Sequence, residues 1–133
     1  MRIVPVPRKR SPVLTDHELR LMEVLWQSQK ATVAEVTANV GTPPLAYNTV
    51  LTTLRTLEQK GYVTHDEDGR AFVYRPRIHR TQAADSAVRQ LLRRFFGNSP
   101  GQLAVSLLDD TKLSEADLAR IQKALARKRR GSR

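Results

Sequence analysis

Residues 48–76 read NTVLTTLRTLEQKGYVTHDEDGRAFVYRP. Set out at about 100° per residue, Val50, Leu51, Leu54 and Leu57 fall in one arc. Asn48, Thr49, Thr52, Arg55, Thr56 and Gln59 fall on the opposite side, and Thr53 sits at the boundary. That is an amphipathic helix, and Gly61 suits a left-handed cap at its end. Tyr62–Thr64 and Ala71–Tyr74 then alternate as two short strands, with Asp68-Gly69 as the turn signal between them. A helix running straight into such a hairpin is the second half of a winged helix-turn-helix.

The same fold is written upstream. Thr15-Asp-His-Glu18 is a capping-box pattern, with Leu14 and Leu19 placed as its hydrophobic staple. Leu19, Met22, Val24, Leu25 and Trp26 are expected to form a buried face ending near Ser28. Thr32 and Glu35 repeat the box, predicting a short helix over roughly 33–40 with Ala34, Val36 and Val40 inward. Gly41-Thr-Pro-Pro44 breaks it, and Pro44 and Leu45 lead into the next helix.

Downstream, Pro76 ends the wing. From Thr81 the chain reads as helix, with Ala84, Ala87, Val88, Leu91, Leu92, Phe95 and Phe96 as a wide apolar stripe. Gly97–Gly101 stops it. Leu103, Ala104, Leu107 and Leu108 mark a shorter helix. Ser114-Glu-Ala-Asp117 caps a last one whose face continues through Leu118, Ile121 and Leu125. Three such helices in some fifty residues enclose too little volume for a core of their own. They are expected to bury their apolar faces against a second copy. The expected interface is Ala84, Val88, Leu91, Leu92, Phe95, Leu107, Leu118, Ile121 and Leu125.

The predicted fold class is therefore mostly α with a small β-hairpin: a winged helix-turn-helix domain plus a C-terminal helical dimerisation domain. The expected divisions are a basic disordered arm at 1–12, the winged domain at 13–76, three helices at 77–126 and a basic tail at 127–133. Pro5, Pro7 and Pro12 keep the first arm irregular.

The chain has 133 residues, a formal charge of +10 and a pI of about 10.8. The charge is unevenly placed. Residues 1–10 hold four cations and residues 126–133 hold five, with no acid in either, leaving 14 basic residues against 13 acidic ones between them. Short basic tails are expected to lack fixed structure and to bind polyanions; solubility is the bland alternative. There is no cysteine, which excludes disulfides, thiolate metal sites and cysteine nucleophiles. No apolar run approaches membrane-helix length and no signal core is present, so a cytoplasmic protein without membrane insertion is expected.

No catalytic constellation assembles from spacing. His17, His65 and His79 lie far apart, and Asp109-Asp110 and Asp66–Asp68 read as solvated acids. No glycine-rich phosphate loop occurs, and neither enzyme activity nor a cofactor or metal is expected.

The face of residues 48–59 points to nucleic acid. Asn pairs bidentately with adenine, Thr bonds a base or touches a thymine methyl, and Arg forks onto guanine. Residues nearest the helix N-terminus go deepest, which ranks Asn48, Thr49 and Thr52 as base readers. Arg55 and Thr56 suit a base or a phosphate. A merely solvated face is the alternative. Yet Thr is a mediocre helix former, and Thr49, Thr52, Thr53 and Thr56 crowd into eight residues. On the wing, Arg70 can reach a phosphate, while Asp66–Asp68 would be repelled by one. Thr32, at a capped helix start, could serve either as cap or as phosphate contact.

These segments resemble the penicillinase-repressor family, the BlaI/MecI/CopY group of bacterial winged-helix repressors. The similar stretches are LTDHELRLMEVLW at 14–26, NTVLTTLRTLEQKGYV at 48–63, GRAFVYRP at 69–76 and LLDDTKLSEADLARIQKAL in the C-terminal helices. The resemblance covers roughly residues 13–126. It implies a homodimer reading a pseudo-palindromic double-stranded DNA operator and repressing transcription. In the antibiotic-responsive branch it implies a membrane metalloprotease sensor upstream and inactivating cleavage in the C-terminal domain. Alignment would place that cut near Ser106-Leu107, where the family's Asn-Phe pair is absent. The copper-responsive branch uses C-terminal cysteines, which this chain lacks.

Two other readings stay open at this level. A nonspecific architectural nucleic-acid-binding protein would fit the basic arms. A protein-interaction module on a winged-helix fold would fit the near-neutral body.

Overall fold

Thr15 starts α1 (Asp16–Ser28): its hydroxyl accepts from the Glu18 amide at 3.2 Å, and the Glu18 carboxylate accepts from the Thr15 amide at 2.9 Å. The structure, a computed structural model, describes residues 13–110 and 112–131; the basic arm expected at 1–12 lies outside them. Strand β1 (Ala31–Thr32) leads into α2 (Val33–Asn39), which Thr32 and Glu35 cap in the same reciprocal way. Helix α3 (Tyr47–Gln59) follows, then β2 (Val63–Asp68) and β3 (Ala71–Pro76).

The sheet order is β1-β3-β2, all antiparallel. The hairpin expected from sequence is thus a three-stranded sheet. Its third member is only two residues long, pairing Ala31 with Tyr74 and Thr32 with Val73. The hairpin also turns one residue later than the Asp68-Gly69 signal suggested. Asp68 pairs with Ala71, so Gly69 and Arg70 are the central residues, and Gly69 has the positive φ (+64°) that the first position of a type II′ turn needs.

The core is built by α1, α2, α3 and the sheet. Leu21, Met22, Leu25, Val36, Val50, Leu54 and Leu57 are fully buried, with Tyr74 and Val63 beneath them. Two inward faces differ from the sequence reading. On α1, Leu21 takes the buried position and Leu19 is 42% exposed, because Leu21 shares the arc of Leu25 and Glu18. On α2, Val33 and Val36 point inward and Ala34 outward. Arg20 ties α1 to the loop before α3, donating to the carbonyls of Val40 and Pro43.

The end of α3 forms a Schellman motif: the Tyr62 amide reaches the Leu57 carbonyl at 2.9 Å and the Gly61 amide reaches Glu58 at 3.0 Å. Gly61, at φ +85°, supplies the left-handed residue. This motif sends the chain directly from α3 into the wing.

After Pro76 the chain is held to α1. The Trp26 indole donates to the Ile78 carbonyl at 2.8 Å, and Arg80 stacks over the Trp26 ring while pairing with Glu23. Helix α4 (Arg80–Phe95) starts there. The chain divides into two compact units, Met1–Leu91 and Leu92–Arg133.

The second unit contains the end of α4, then α5 (Pro100–Asp110) and α6 (Glu115–Gly131). Ser114 and Asp117 form the expected capping pair. The expectation that the chain loses structure from 127 is overturned, since α6 continues to Gly131. Lys and Arg are good helix formers, and cations in a last turn complement the helix dipole. Among the described residues of this unit none is buried.

Candidate nucleic-acid interface

Helix α3 carries its two faces as its sequence demands. Val50, Leu54 and Leu57 have no exposed surface, which fixes the rotation of the helix on the core. That rotation leaves Asn48, Thr49, Thr52, Arg55 and Gln59 exposed on the far side. Among the described residues, the side chains of Asn48, Thr49 and Thr52 have no internal hydrogen-bond partner. Their donors and acceptors are satisfied by solvent, and an arriving base edge can replace that solvent without breaking a protein bond.

The four threonines separate into two kinds. The Thr53 hydroxyl donates to the Thr49 carbonyl at 2.7 Å, and the Thr56 hydroxyl donates to the Thr52 carbonyl at 3.2 Å. Such back-bonding one turn up the helix takes the donor out of play. Thr49 and Thr52 keep both donor and acceptor, while half-buried Thr56 keeps an acceptor only.

The start of α3 adds something the sequence reading missed. Helices α1 and α2 have complete capping boxes, whereas Ala46, the N-cap of α3, supplies no side-chain bond. The first amides of α3 therefore lack a side-chain acceptor. They sit at the positive end of the helix dipole, an arrangement suited to a phosphate oxygen. Tyr47, the first helical residue, is 51% exposed beside them. The missing cap was visible in the sequence as Pro44-Leu-Ala46, where a Ser, Thr, Asp or Asn would otherwise stand.

Thr32 is differently placed. Its hydroxyl accepts from the Glu35 amide at 3.1 Å, and its own amide donates to the Glu35 carboxylate at 2.8 Å. Hydrogen bonds from the Thr32 amide, then from its hydroxyl, hold the Glu35 carboxyl below its ordinary range. Thr32 serves first as a cap.

On the wing, Arg70 stands exposed in the turn, while the Arg75 guanidinium bonds Asp66 at 3.1 Å. Arg70 is thus the wing cation without a carboxylate partner among the described residues. The wing is braced against α3 by His65, whose Nδ1 lies 2.8 Å from both Glu58 oxygens and whose ring packs on Phe72 and Tyr74. Burial, then the Glu58 charge, pushes the Tyr74 phenol above its ordinary range, so Tyr74 stays neutral beneath this brace. Among the described residues, no group of three or more His, Cys, Asp or Glu is placed to hold a metal ion, and no helix is long and apolar enough to cross a membrane.

Of the expected interface residues on the C-terminal helices, Phe95 is 68% exposed, and Val88, Leu91, Leu107, Leu118 and Leu125 are exposed to lesser degrees. Leu92 and Ile121 are partly covered, and Ala84 is exposed. Ser106 and Leu107 lie within α5.

The penicillinase repressor family model matches residues 14–127. The penicillinase repressor of Bacillus licheniformis is 27% identical over 118 residues, spanning 88% of this chain and 92% of that protein. Among solved structures, the DNA-binding domain of the repressor BlaI is 33% identical, spanning 56% of this chain and 92% of that one, with a TM-score of 0.49. The monomeric form of Bacillus licheniformis BlaI in complex with the blaP half-operator is 31% identical over 55% of this chain and 90% of that one, with a TM-score of 0.46.

Proposed function

The chain belongs to the penicillinase repressor family, and from that premise we propose that it is a sequence-specific DNA-binding repressor of transcription. Helix α3 enters the major groove, with Asn48, Thr49 and Thr52 on base edges and Arg55 on a base or phosphate. The uncapped start of α3 and Arg70 of the wing hold the backbone on either side. One observation carries this reading: burial of Val50, Leu54 and Leu57 turns outward, on one exposed face, three polar side chains that have no partner among the described residues. The likeness to a penicillinase repressor, which extends along nearly the whole of that protein, supports it.

The working form is a homodimer acting in the cytoplasm on a pseudo-palindromic operator. Support comes from the second unit, where none of the described residues is buried and Phe95, Leu107, Leu118 and Leu125 are exposed. Apolar surface of that extent is covered by a partner in stable proteins. A twofold pair of reading helices then calls for two related half-sites. Relief of repression by a cut at Ser106-Leu107 would first require α5 to unwind there, because that bond lies inside the helix.

Selection of bound duplexes from a random pool tests the proposal. The expected product is a dyad-symmetric site with two half-sites about one helical turn apart or a multiple of it. Recovery of no preferred site would leave a nonspecific binder, and the reading of α3 would fail.

A further inference from the structure

The charges of the two units point to a second DNA surface. Residues 13–91, which include α3 and the wing, hold nine basic and nine acidic residues. Residues 92–133 hold ten basic residues against four acidic ones. A neutral reading unit neutralises few phosphates, and counter-ion release from phosphates supplies most sequence-independent affinity for DNA. Beyond the few contacts of Arg55, Arg70 and the start of α3, that share is left to the rest of the chain.

Helix α6 has the geometry for it. Arg120, Lys123, Arg127 and Arg130 follow one another at spacings of three and four, so they lie within about 80° of one another around the axis. All four are exposed, and the Arg120 guanidinium also meets Asp117. Leu118, Ile121 and Leu125 lie roughly 180° away. If a second copy covers that apolar side, the cations still face outward. From Arg120 to Arg130 the face runs about 15 Å, close to the axial length of four phosphates on one strand at about 3.4 Å each.

We propose that this face of α6 is a sequence-independent DNA-binding surface that holds the phosphate backbone. The inference rests on the reading of the chain as a DNA-binding repressor. Charge complementarity selects the occupant. An anionic bilayer fits less well, because a helix lying on one buries its apolar side and would turn these cations toward water.

The test uses the full chain, with Arg120, Lys123, Arg127 and Arg130 all changed to Gln. A companion variant, Arg120→Lys, Arg127→Lys and Arg130→Lys, keeps the charge. Affinity for the selected operator and for a random duplex is measured from about 50 to 200 mM salt. The Gln variant is expected to lower the slope of log affinity against log salt by at least about 2. It should weaken both duplexes by the same factor, about 10-fold or more at the low-salt end, and leave their ratio intact. The Lys variant should keep the parent slope. An unchanged slope in the Gln variant overturns the inference, as does an equal loss in the Lys variant. Loss of binding to phosphatidylserine vesicles with an unchanged DNA slope would assign the face to a membrane instead. If the parent protein prefers no duplex at all, the repressor reading fails, and the α6 face is still judged by the slope on random DNA.

Discussion

The ammonium of Lys60, at the C-cap of α3, lies 2.7 Å from the carboxylate of Glu18 in the first turn of α1, and both side chains are more than nine-tenths buried. Glu18 does two things at once, because the same carboxylate oxygen accepts from the Thr15 amide. The pair joins the start of α1 to the end of α3. Desolvation offsets most of what such a pair gains, but removing one partner leaves a buried charge uncompensated. Lys60→Met is therefore expected to cost about 3–5 kcal/mol in urea unfolding. The double change Glu18→Gln with Lys60→Met keeps a capping amide and removes both charges, so it should be much milder. Equal losses in the two variants would show that the pairing of charges is not what holds these helix ends.

What the sequence discloses of this fold depends on how far apart the interacting residues lie. Both capping boxes of the first unit and the turn at Gly61 are local, set by residues within one helical turn, and the sequence displays them directly. Glu18 was readable as a cap; its ion pair with a residue 42 positions away was not. Strand β1 escaped notice because two residues cannot display an alternating pattern, and it exists only by pairing with β3. Leu19 and Ala34, rather than Leu21 and Val33, are expected inward from sequence for a related reason. A stripe of apolar residues wider than the core leaves the rotation of a helix open, and only the neighbouring elements settle it. On α3 the stripe was narrow, so its outward face was readable, though not which threonines bond back to the helix. The uncapped start of α3 was an absence in the sequence, and absences are harder to read than motifs.

The division among the threonines makes Thr52 the informative position. Its hydroxyl has no partner among the described residues, and its side chain is exposed on the reading face. Thr52→Ala removes the proposed base contact without disturbing an internal bond, and alanine favours the helix. The expected loss is about 1–3 kcal/mol on the operator, with relaxed discrimination at one base position. Thr53→Ala, by contrast, should leave operator preference unchanged, since its hydroxyl is bonded to the Thr49 carbonyl. Gel-shift titrations on operator and random duplexes distinguish the cases. An equal loss for Thr52→Ala on both duplexes would place this residue on the backbone.

Thr32 and Glu35 link stability to acid. The folded pKa of Glu35 lies below its ordinary value, chiefly through the Thr32 amide and then its hydroxyl. The resulting contribution is fully present above the unfolded-state pKa and is lost as pH falls through the depressed folded value. Thr32→Ala should cost about 1 kcal/mol at neutral pH by removing the N-cap. The gap between parent and variant should narrow in acid, because protonating Glu35 weakens the reciprocal Thr32–Glu35 box that the parent has and the variant lacks. Thermal unfolding from neutral pH down through the carboxylate range measures this. A gap that stayed constant throughout would mean that the hydroxyl stabilises the helix independently of Glu35.

The second unit makes the sharpest claim about assembly. Phe95 is 68% exposed and Leu118 is 37% exposed, in a region with no buried residue among those described. A lone copy would present these side chains to water, so covering them by a second copy should drive association. Phe95→Asp and Leu118→Asp place a charge that a covered apolar contact cannot accommodate without partners. The parent is expected to be dimeric by light scattering and each variant monomeric at the same concentration. The monomers should keep the fold of the first unit, whose core uses neither residue. Operator affinity should then fall steeply, because two half-sites are no longer bound by one connected pair, while preference for a single half-site survives. A dimer that persisted in both variants would move the interface away from these helices and with it the account of the exposed apolar surface.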